Sequence, residues 1–291
     1  MMTETNEKAY AKLNISLDVS QRRADGYHDM VMVMQTVSLC DTLTLTPTSD
    51  GRVSAGSNLS FIPGDERNLA VKAAAKYLER IGETGQGIRI QIRKSIPVGA
   101  GMGGGSADAA AVLRGMNALY GAALSVAELE ELGAQVGSDV PFCVAGGTRL
   151  AKGRGELLTP LPPMPACTFV ICKPEFSVST PELFRKLDQL SRRRHPDTAG
   201  IVAALEAGDL GNVCRRMYNV FEDVDDRRMR TVSAIKSSLL DYGALGAVMT
   251  GTGSAVFGVF SGEAAAEEAA RALKKEYAFC VTAQCVGELR E

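Results

Sequence analysis

The sequence predicts an α+β protein of two domains built on mostly antiparallel sheets. Three observations lead there. Strand-like runs follow one another without an intervening helix. Helical runs are interspersed without the strict strand–helix alternation of a doubly wound parallel sheet. A proline-rich run, Thr159-Pro160-Leu161-Pro162-Pro163-Met164-Pro165, falls just past the middle of the 291 residues, where a linker is expected because proline resists both helix and central strand. Residues 1–158 and 166–291 are the expected domains.

The first strong signal is Tyr10 to Val19. Leu13, Ile15, Leu17 and Val19 alternate with Lys12, Asn14, Ser16 and Asp18, the period of a half-buried strand. Lys12 and Asn14 therefore share its polar face. Residues 31–46, rich in Val, Thr and Leu, give one or two further strands. Asn68 to Arg80 reads as a helix with Leu69, Ala73, Tyr77 and Leu78 on one side. Ile88, Ile90 and Ile92 alternate with Arg89, Gln91 and Arg93 in the next strand, which Pro97 ends.

A glycine loop follows, and helical spacing resumes directly after it at Ala109, Val112, Leu113, Met116, Leu119 and Tyr120. Ser125 and Glu128 make a capping box for a helix carrying Leu129, Leu132 and Val136, with Gly137 as its stop. Past the linker we expect a strand at 167–172, helices near 181–190, 199–207, 209–217 and 226–241, strands at 244–249 and 255–260, a helix at 263–276 and a last strand at 279–286. Thr180 and Pro181 suit the start of the first of these helices.

Composition narrows the function. Lys and Arg number 32 against 34 Asp and Glu, so no polyanion partner such as a nucleic acid is expected. The one basic run, Arg192 to His195, reads as a solvated loop. Met1 to Lys8 is polar and has no apolar core of a signal peptide, and no apolar run reaches the ~20 residues of a membrane span, so a cytoplasmic protein is expected. Cys167/Cys172 and Cys280/Cys285 each lie five apart in strand-like runs, which puts the members of each pair on opposite faces. They read as free, buried thiols. Two histidines cannot make a histidine metal cluster.

Gly99 to Ser106 holds five glycines in eight residues between a strand and a helix. Glycine lets backbone approach a ligand, and a helix N-terminus offers unpaired N–H groups and a positive dipole end. Together they make a phosphate site. A structural turn needs only one or two glycines. The GxGxxG match is not a dinucleotide fingerprint, because the preceding strand alternates where a Rossmann strand is continuously apolar, and Leu119 to Ser125 holds no ribose-binding acid. No GxxxxGK[ST] occurs, which excludes a Walker loop.

The run Pro97-Val98-Gly99-Ala100-Gly101-Met102-Gly103-Gly104-Gly105-Ser106-Ala107-Asp108-Ala109-Ala110 resembles the second motif of the galactokinase, homoserine kinase, mevalonate kinase and phosphomevalonate kinase (GHMP) superfamily. Ala11-Lys12-Leu13-Asn14 resembles the first motif. Thr250-Gly251-Thr252-Gly253-Ser254-Ala255-Val256-Phe257-Gly258 resembles the third. Asp25-Gly26-Tyr27-His28 and Gly137-Ser138-Asp139-Val140-Pro141-Phe142 narrow the likeness within it.

The resemblance implies a ribosomal-S5-domain-2-like N-terminal domain, a ferredoxin-like C-terminal domain, and transfer of the terminal phosphate of ATP to a tertiary alcohol on a small molecule carrying a cytidine diphosphate group. Magnesium is expected with ATP. Pro97 through Ala107 become candidate ATP-binding residues, and Gly251, Thr252, Gly253 and Ser254 the second glycine loop. Asp139 becomes the candidate base; by residue type alone it is equally an N-cap, with Ser138 as a rival cap. Lys12 becomes its cationic partner. Asn14, Tyr27, His28, Asp139, Thr180 and Phe184 become candidate acceptor-binding residues, with Tyr27 and Phe184 stacking on the base and His28 reading its edge. Phe184 reads equally as core. Ser106 or Asp108 is the candidate approach to magnesium. A monomer or weak homodimer is expected.

Ala107 and Thr250 stand where the family commonly has serine, which leaves Ala107 without a hydroxyl for phosphate. The rival readings are a kinase of the superfamily acting on mevalonate, phosphomevalonate or homoserine, a non-catalytic binding protein on the same fold, and, more distantly, a NAD-dependent oxidoreductase.

Overall fold

The computed structural model describes residues 4–121 and 124–289, with Gln21 described for its backbone only, so Met1 to Thr3 of the polar N-terminal run lie outside the described residues. The chain folds as a two-domain α+β protein. Its elements in order are β1 (Thr5–Arg22), β2 (His28–Thr48), β3 (Val53–Ser57), α1 (Leu69–Ile81), β4 (Gly87–Arg93), α2 (Gly104–Leu119), α3 (Val126–Ala134), α4 (Val140–Ala145), β5 (Thr148–Gly153), β6 (Leu157–Pro160), β7 (Thr168–Lys173), α5 (Thr180–Asp188), α6 (Thr198–Glu206), α7 (Leu210–Arg215), β8 (Tyr218–Asn219), α8 (Arg227–Asp241), β9 (Gly246–Met249), β10 (Val256–Phe260), α9 (Glu263–Leu273) and β11 (Phe279–Gln284).

The first sheet runs β3-β4-β2-β1-β8, with β5 and β6 extending it from β2. Residues 31–46 belong to one 21-residue strand rather than two; β2 pairs with β5 over its first part and with β4 over its last. Pairing is antiparallel except for β3 with β4 and β1 with β8. Helix α2 packs on β1, flanked by α1 and α4. It is buried nearly all round, as its run of alanines before Val112 allows. The second sheet, β11-β7-β10-β9, is wholly antiparallel and packs against α8 and α9.

Local signals account for several boundaries. The Asn68 side chain caps α1 through the Ala70 N–H, and Gly82 ends that helix in the left-handed region. The Ser125–Glu128 capping box forms at α3. Ile88, Ile90 and Ile92 are buried while Arg89, Gln91 and Arg93 are exposed.

Four expectations need correction. The middle of strand β1, residues 11–17, is buried on both faces, not half-buried: Lys12, Asn14 and Ser16 are as enclosed as Leu13 and Ile15, because residues near 219 and 250 cover the polar face. Thr159 and Pro160 of the proline-rich run belong to β6, an edge strand paired only with β5, where a missing N–H costs little. The Arg192–His195 loop is exposed yet tied down: Arg194 binds Asp223, His195 Nδ1 lies 2.9 Å from Asp18, and Arg193 lies 3.6 Å from Asp188. Of the seven free thiols, Cys40 and Cys285 are only half-buried. Among the described residues no helix is long and apolar enough to cross a membrane.

Candidate active site

A cleft of about 870 Å³ opens between the two sheets' connecting loops. Its floor is set by Lys12. The Lys12 N–H donates to the Met102 carbonyl at 3.1 Å, fastening β1 to the glycine loop. Its ammonium donates to Asn14 Oδ1 at 2.7 Å and lies 3.6 Å from Asp139 Oδ2. Lys12 is 4% exposed, so the cation is held by these partners and the cleft rather than by bulk water. Asp139 sits at the N-cap position of α4, but its side chain makes no capping bond. Its carboxylate is 30% exposed and lines the cleft.

The two glycine loops are stitched together over this pair. The Asn14 N–H donates to Thr250 Oγ1 at 3.0 Å, and the Gly251 N–H donates to Asn14 Oδ1 at 2.9 Å. The Ala255 N–H donates to the Ala100 carbonyl at 3.1 Å. Gly101 has φ +77°, and a Cβ there would lie 2.2 Å from the Thr250 carbonyl oxygen, so only glycine allows this approach. Asn219, which the sequence did not single out, braces the second loop by donating from Nδ2 to the carbonyls of Met249 and Gly251 at 2.7 and 2.8 Å.

Helix α2 starts inside the first loop at Gly104, with Gly103 at the N-cap in the left-handed region and no side chain capping it. The first N–H groups of α2, those of Gly104, Gly105 and Ser106, therefore have no intrahelical partner, and of these three residues Ser106 lines the cleft beside Lys12. Of the sequence candidates, Gly99, Gly101, Gly103, Ser106, Gly251, Thr252 and Gly253 line the cleft. Ala100, Met102 and Ala107 are buried in the core, and Pro97, Val98, Gly104 and Gly105 do not line the cleft. Ser254 is also enclosed, donating to the Phe176 carbonyl at 2.6 Å. Asn14 is fully buried and reaches the cleft through its partners Lys12, Met32 and Gly251, all of which line it.

Asp108 does not line the cleft either. Its carboxylate lies 2.6 Å from Lys94 Nζ, which is also 2.5 Å from Asp41. Burial pushes the Asp108 carboxyl up to about 7; Lys94 pulls it down and Asp41 pushes it up again. That leaves Ser106 as the magnesium candidate facing the cleft. Among the described residues no cluster of three or more His, Cys, Asp or Glu could hold a metal alone.

At the far end of the cleft, His28 stacks on Phe184 with ring centroids 4.8 Å apart and 25° between planes. Phe184 in turn meets Phe221 edge-on at 4.9 Å. Phe184 is half-buried against the core and also lines the cleft. His28 Nε2 lies 2.9 Å from Asp188 Oδ1. Tyr27 is 56% exposed, with the Arg154 guanidinium 5.2 Å over its ring. Thr180 Oγ1 lies 2.9 Å from Thr252 Oγ1, joining α5 to the second loop. Arg22, Arg154, Arg185 and Asp188 also line the cleft; as single charges in unrelated segments, they gave no sequence signal.

Comparison with known proteins agrees with this geometry. Residues 68–147 match the model of the GHMP kinases N terminal domain, and residues 201–278 match that of the GHMP kinases C terminal. The chain belongs to the GHMP kinase family. A 4-diphosphocytidyl-2-C-methyl-D-erythritol kinase of Syntrophomonas wolfei is 45% identical to this GHMP kinase over 92% of each chain. One of Geobacillus thermodenitrificans is 47% identical over 87% of each. A crystal structure of 4-(cytidine 5'-diphospho)-2C-methyl-D-erythritol kinase superposes with a TM-score of 0.81 at 33% identity, covering 97% of this chain and all of that one. A homoserine kinase from Cytophaga hutchinsonii, at TM-score 0.79 and 23% identity over 99% of this chain and 96% of its own, shares the fold.

Proposed function

We propose that this GHMP kinase phosphorylates the 2-hydroxyl of 4-diphosphocytidyl-2-C-methyl-D-erythritol with ATP, giving the 2-phosphate and ADP in non-mevalonate isoprenoid synthesis. The observation that carries the reading is that one cleft joins the Lys12–Asp139 pair, under two glycine loops, to an aromatic wall of His28 and Phe184 with Tyr27 beside it. Relatives of that name over most of the chain support it.

In this reading the α2 N-terminus and the loop from Gly99 to Ser106 cradle the phosphates of ATP, and the Gly251–Gly253 loop closes over them. Asp139 takes the proton of the acceptor hydroxyl as its oxygen bonds to the γ-phosphorus and ADP leaves. Lys12, 3.6 Å from Asp139, offsets the charge that develops on the reacting oxygens. Magnesium fits a site whose protein donors are oxygens and whose remaining ligands come from phosphate and water; Ser106 would approach it, and the ion would neutralise phosphate charge. Arg22, Arg154 and Arg185 place positive charge where an acceptor diphosphate needs it.

Tyr27 and Phe184 would flank the cytosine. One face of Phe184 carries His28 and one face of Tyr27 carries the Arg154 guanidinium; Tyr27, 56% exposed, is the more accessible of the two rings. Base–aromatic stacking is worth about 1–3 kcal/mol. Tyr27→Ala is therefore expected to raise the acceptor KM roughly tenfold or more while the KM for ATP stays within about twofold. Steady-state kinetics with each substrate varied is the check; an unchanged acceptor KM would move the base elsewhere.

A further inference from the structure

The four strand cysteines are not scattered. Cys280 stands directly opposite Cys172 in the β11–β7 ladder, with sulfurs 2.6 Å apart. The ladder continues to Thr168 opposite Gln284, which brings Cys167 against Cys285 at 3.6 Å. Equal five-residue spacing on two antiparallel strands thus aligns two cross-strand thiol pairs, one on each face of the sheet. The two pairs differ in access. Cys172 and Cys280 are 0% and 3% exposed, whereas Cys285 is half-buried at the open end of the sheet.

Cys285 also stands at a junction. Immediately beyond β11 the chain leaves the second sheet and crosses to the first domain. Cys285 bridges Val37 of β2, the Val286 N–H donates to the Thr36 carbonyl at 2.9 Å, and Gln35 Nε2 donates to the Val286 carbonyl at 3.0 Å. The Leu289 N–H reaches the Ala145 carbonyl at 2.9 Å, at the end of the helix that carries Asp139 at its start. The segment 285–289 is a strap joining β7's sheet to β2 and α4.

We propose that Cys167 and Cys285 form a reversible thiol–disulfide modification site, oxidised by a peroxide, that covalently fixes the root of this strap. Cys285 is the more accessible sulfur of the pair, and a hydrogen bond from the Cys167 S–H favours its thiolate, so it is the one a peroxide reaches first. Its thiolate attacks hydrogen peroxide, breaking the O–O bond to give the Cys285 sulfenic acid and hydroxide. The Cys167 sulfur then attacks that sulfur: the S–S bond forms, the S–O bond breaks, and the Cys167 proton leaves with the oxygen as water. A dithiol reverses it by exchange.

The test uses the full chain, reduced and freed of reductant, titrated with hydrogen peroxide, alkylated and mapped by mass spectrometry. Cys40, a lone half-buried thiol whose pKa burial raises, is the internal comparator. The expected result is a peptide joining Cys167 to Cys285 with the loss of two hydrogens, at doses that leave Cys40 alkylatable. The oxidised protein should unfold roughly 5–10 °C higher, because the bond closes a long loop, and dithiothreitol should return it to the reduced value. Cys285→Ser should abolish both the joined peptide and the shift. If Cys285 remains alkylatable at doses that oxidise Cys40, or the only disulfide is Cys172–Cys280, the proposal is overturned without reliance on any variant.

Discussion

Asp139→Asn should lose ~10²-fold or more in turnover, the scale of a positioned general base, while ATP still binds. The side chain makes no capping bond at α4, so the substitution removes no helix contact. What it removes is the carboxylate 3.6 Å from the Lys12 ammonium. An amide of the same shape can still accept a hydrogen bond but cannot take the acceptor's proton. The proposed acceptor is a tertiary alcohol, hindered and weakly acidic, so positioning by Lys12 and the cleft wall carries part of the rate, and a residual activity is expected. Single-turnover kinetics with saturating ATP reads the chemical step directly. Turnover within a few-fold of the parent protein would remove Asp139 from the mechanism.

Gly103→Val should weaken ATP binding tenfold or more and leave acceptor affinity little changed. Gly103 has φ +70°, a region that costs a non-glycine residue about 1–3 kcal/mol and a β-branched one more. Its Cβ would stand 3.1 Å from Lys12 Cγ and 3.8 Å from Asp139 Oδ2, over the start of α2. The substitution therefore obstructs the approach of phosphate to the unpaired N–H groups and also presses on the Lys12 stem. Calorimetric titration with ATP is the check, with thermal unfolding run beside it to confirm that the variant is folded. Unchanged ATP affinity in a folded variant would place the phosphates away from this loop.

The parts of this molecule legible in the sequence are those set by neighbours in the chain. The alternation at 88–93, the Ser125–Glu128 box and the glycine density before α2 each report local physics, and each element formed, though α2 begins inside the glycine loop at Gly104 and α3 ends at Ala134, short of Val136. Strands β3 and β5 lack clean alternation, and β6 lies partly inside a proline-rich run. β3 and β5 owe their existence to partners far along the chain, β4 and β2, while β6 is held by its hairpin with β5. The clearest instance is Lys12 and Asn14. Their shared face was readable, but its burial was not, because the cover comes from Thr250 and Gly251, more than 230 residues away. The same holds for Asn219, whose side chain holds two carbonyls of the second loop, and for the Cys167–Cys285 alignment, which needs the strand register.

Geometry separates some residues that the sequence left level. Asp108 and Ser106 were equal magnesium candidates in the sequence. In the fold, Asp108 faces Lys94 and Asp41 while Ser106 lines the cleft. Phe184 was equally core or a stacking partner of the base; it packs against Phe221 on one side and His28 on the other and lines the cleft.

The central claim is the acceptor. The most direct measurement is phosphoryl transfer from ATP by the purified protein to 4-diphosphocytidyl-2-C-methyl-D-erythritol, free methylerythritol, mevalonate and homoserine, assayed side by side. The account predicts turnover of the cytidine-linked compound, with kcat/KM at least about 10²-fold above any other acceptor, since the lost stacking and diphosphate contacts together exceed about 3 kcal/mol. Equal turnover of mevalonate or homoserine would contradict it and leave only the assignment to the GHMP kinases.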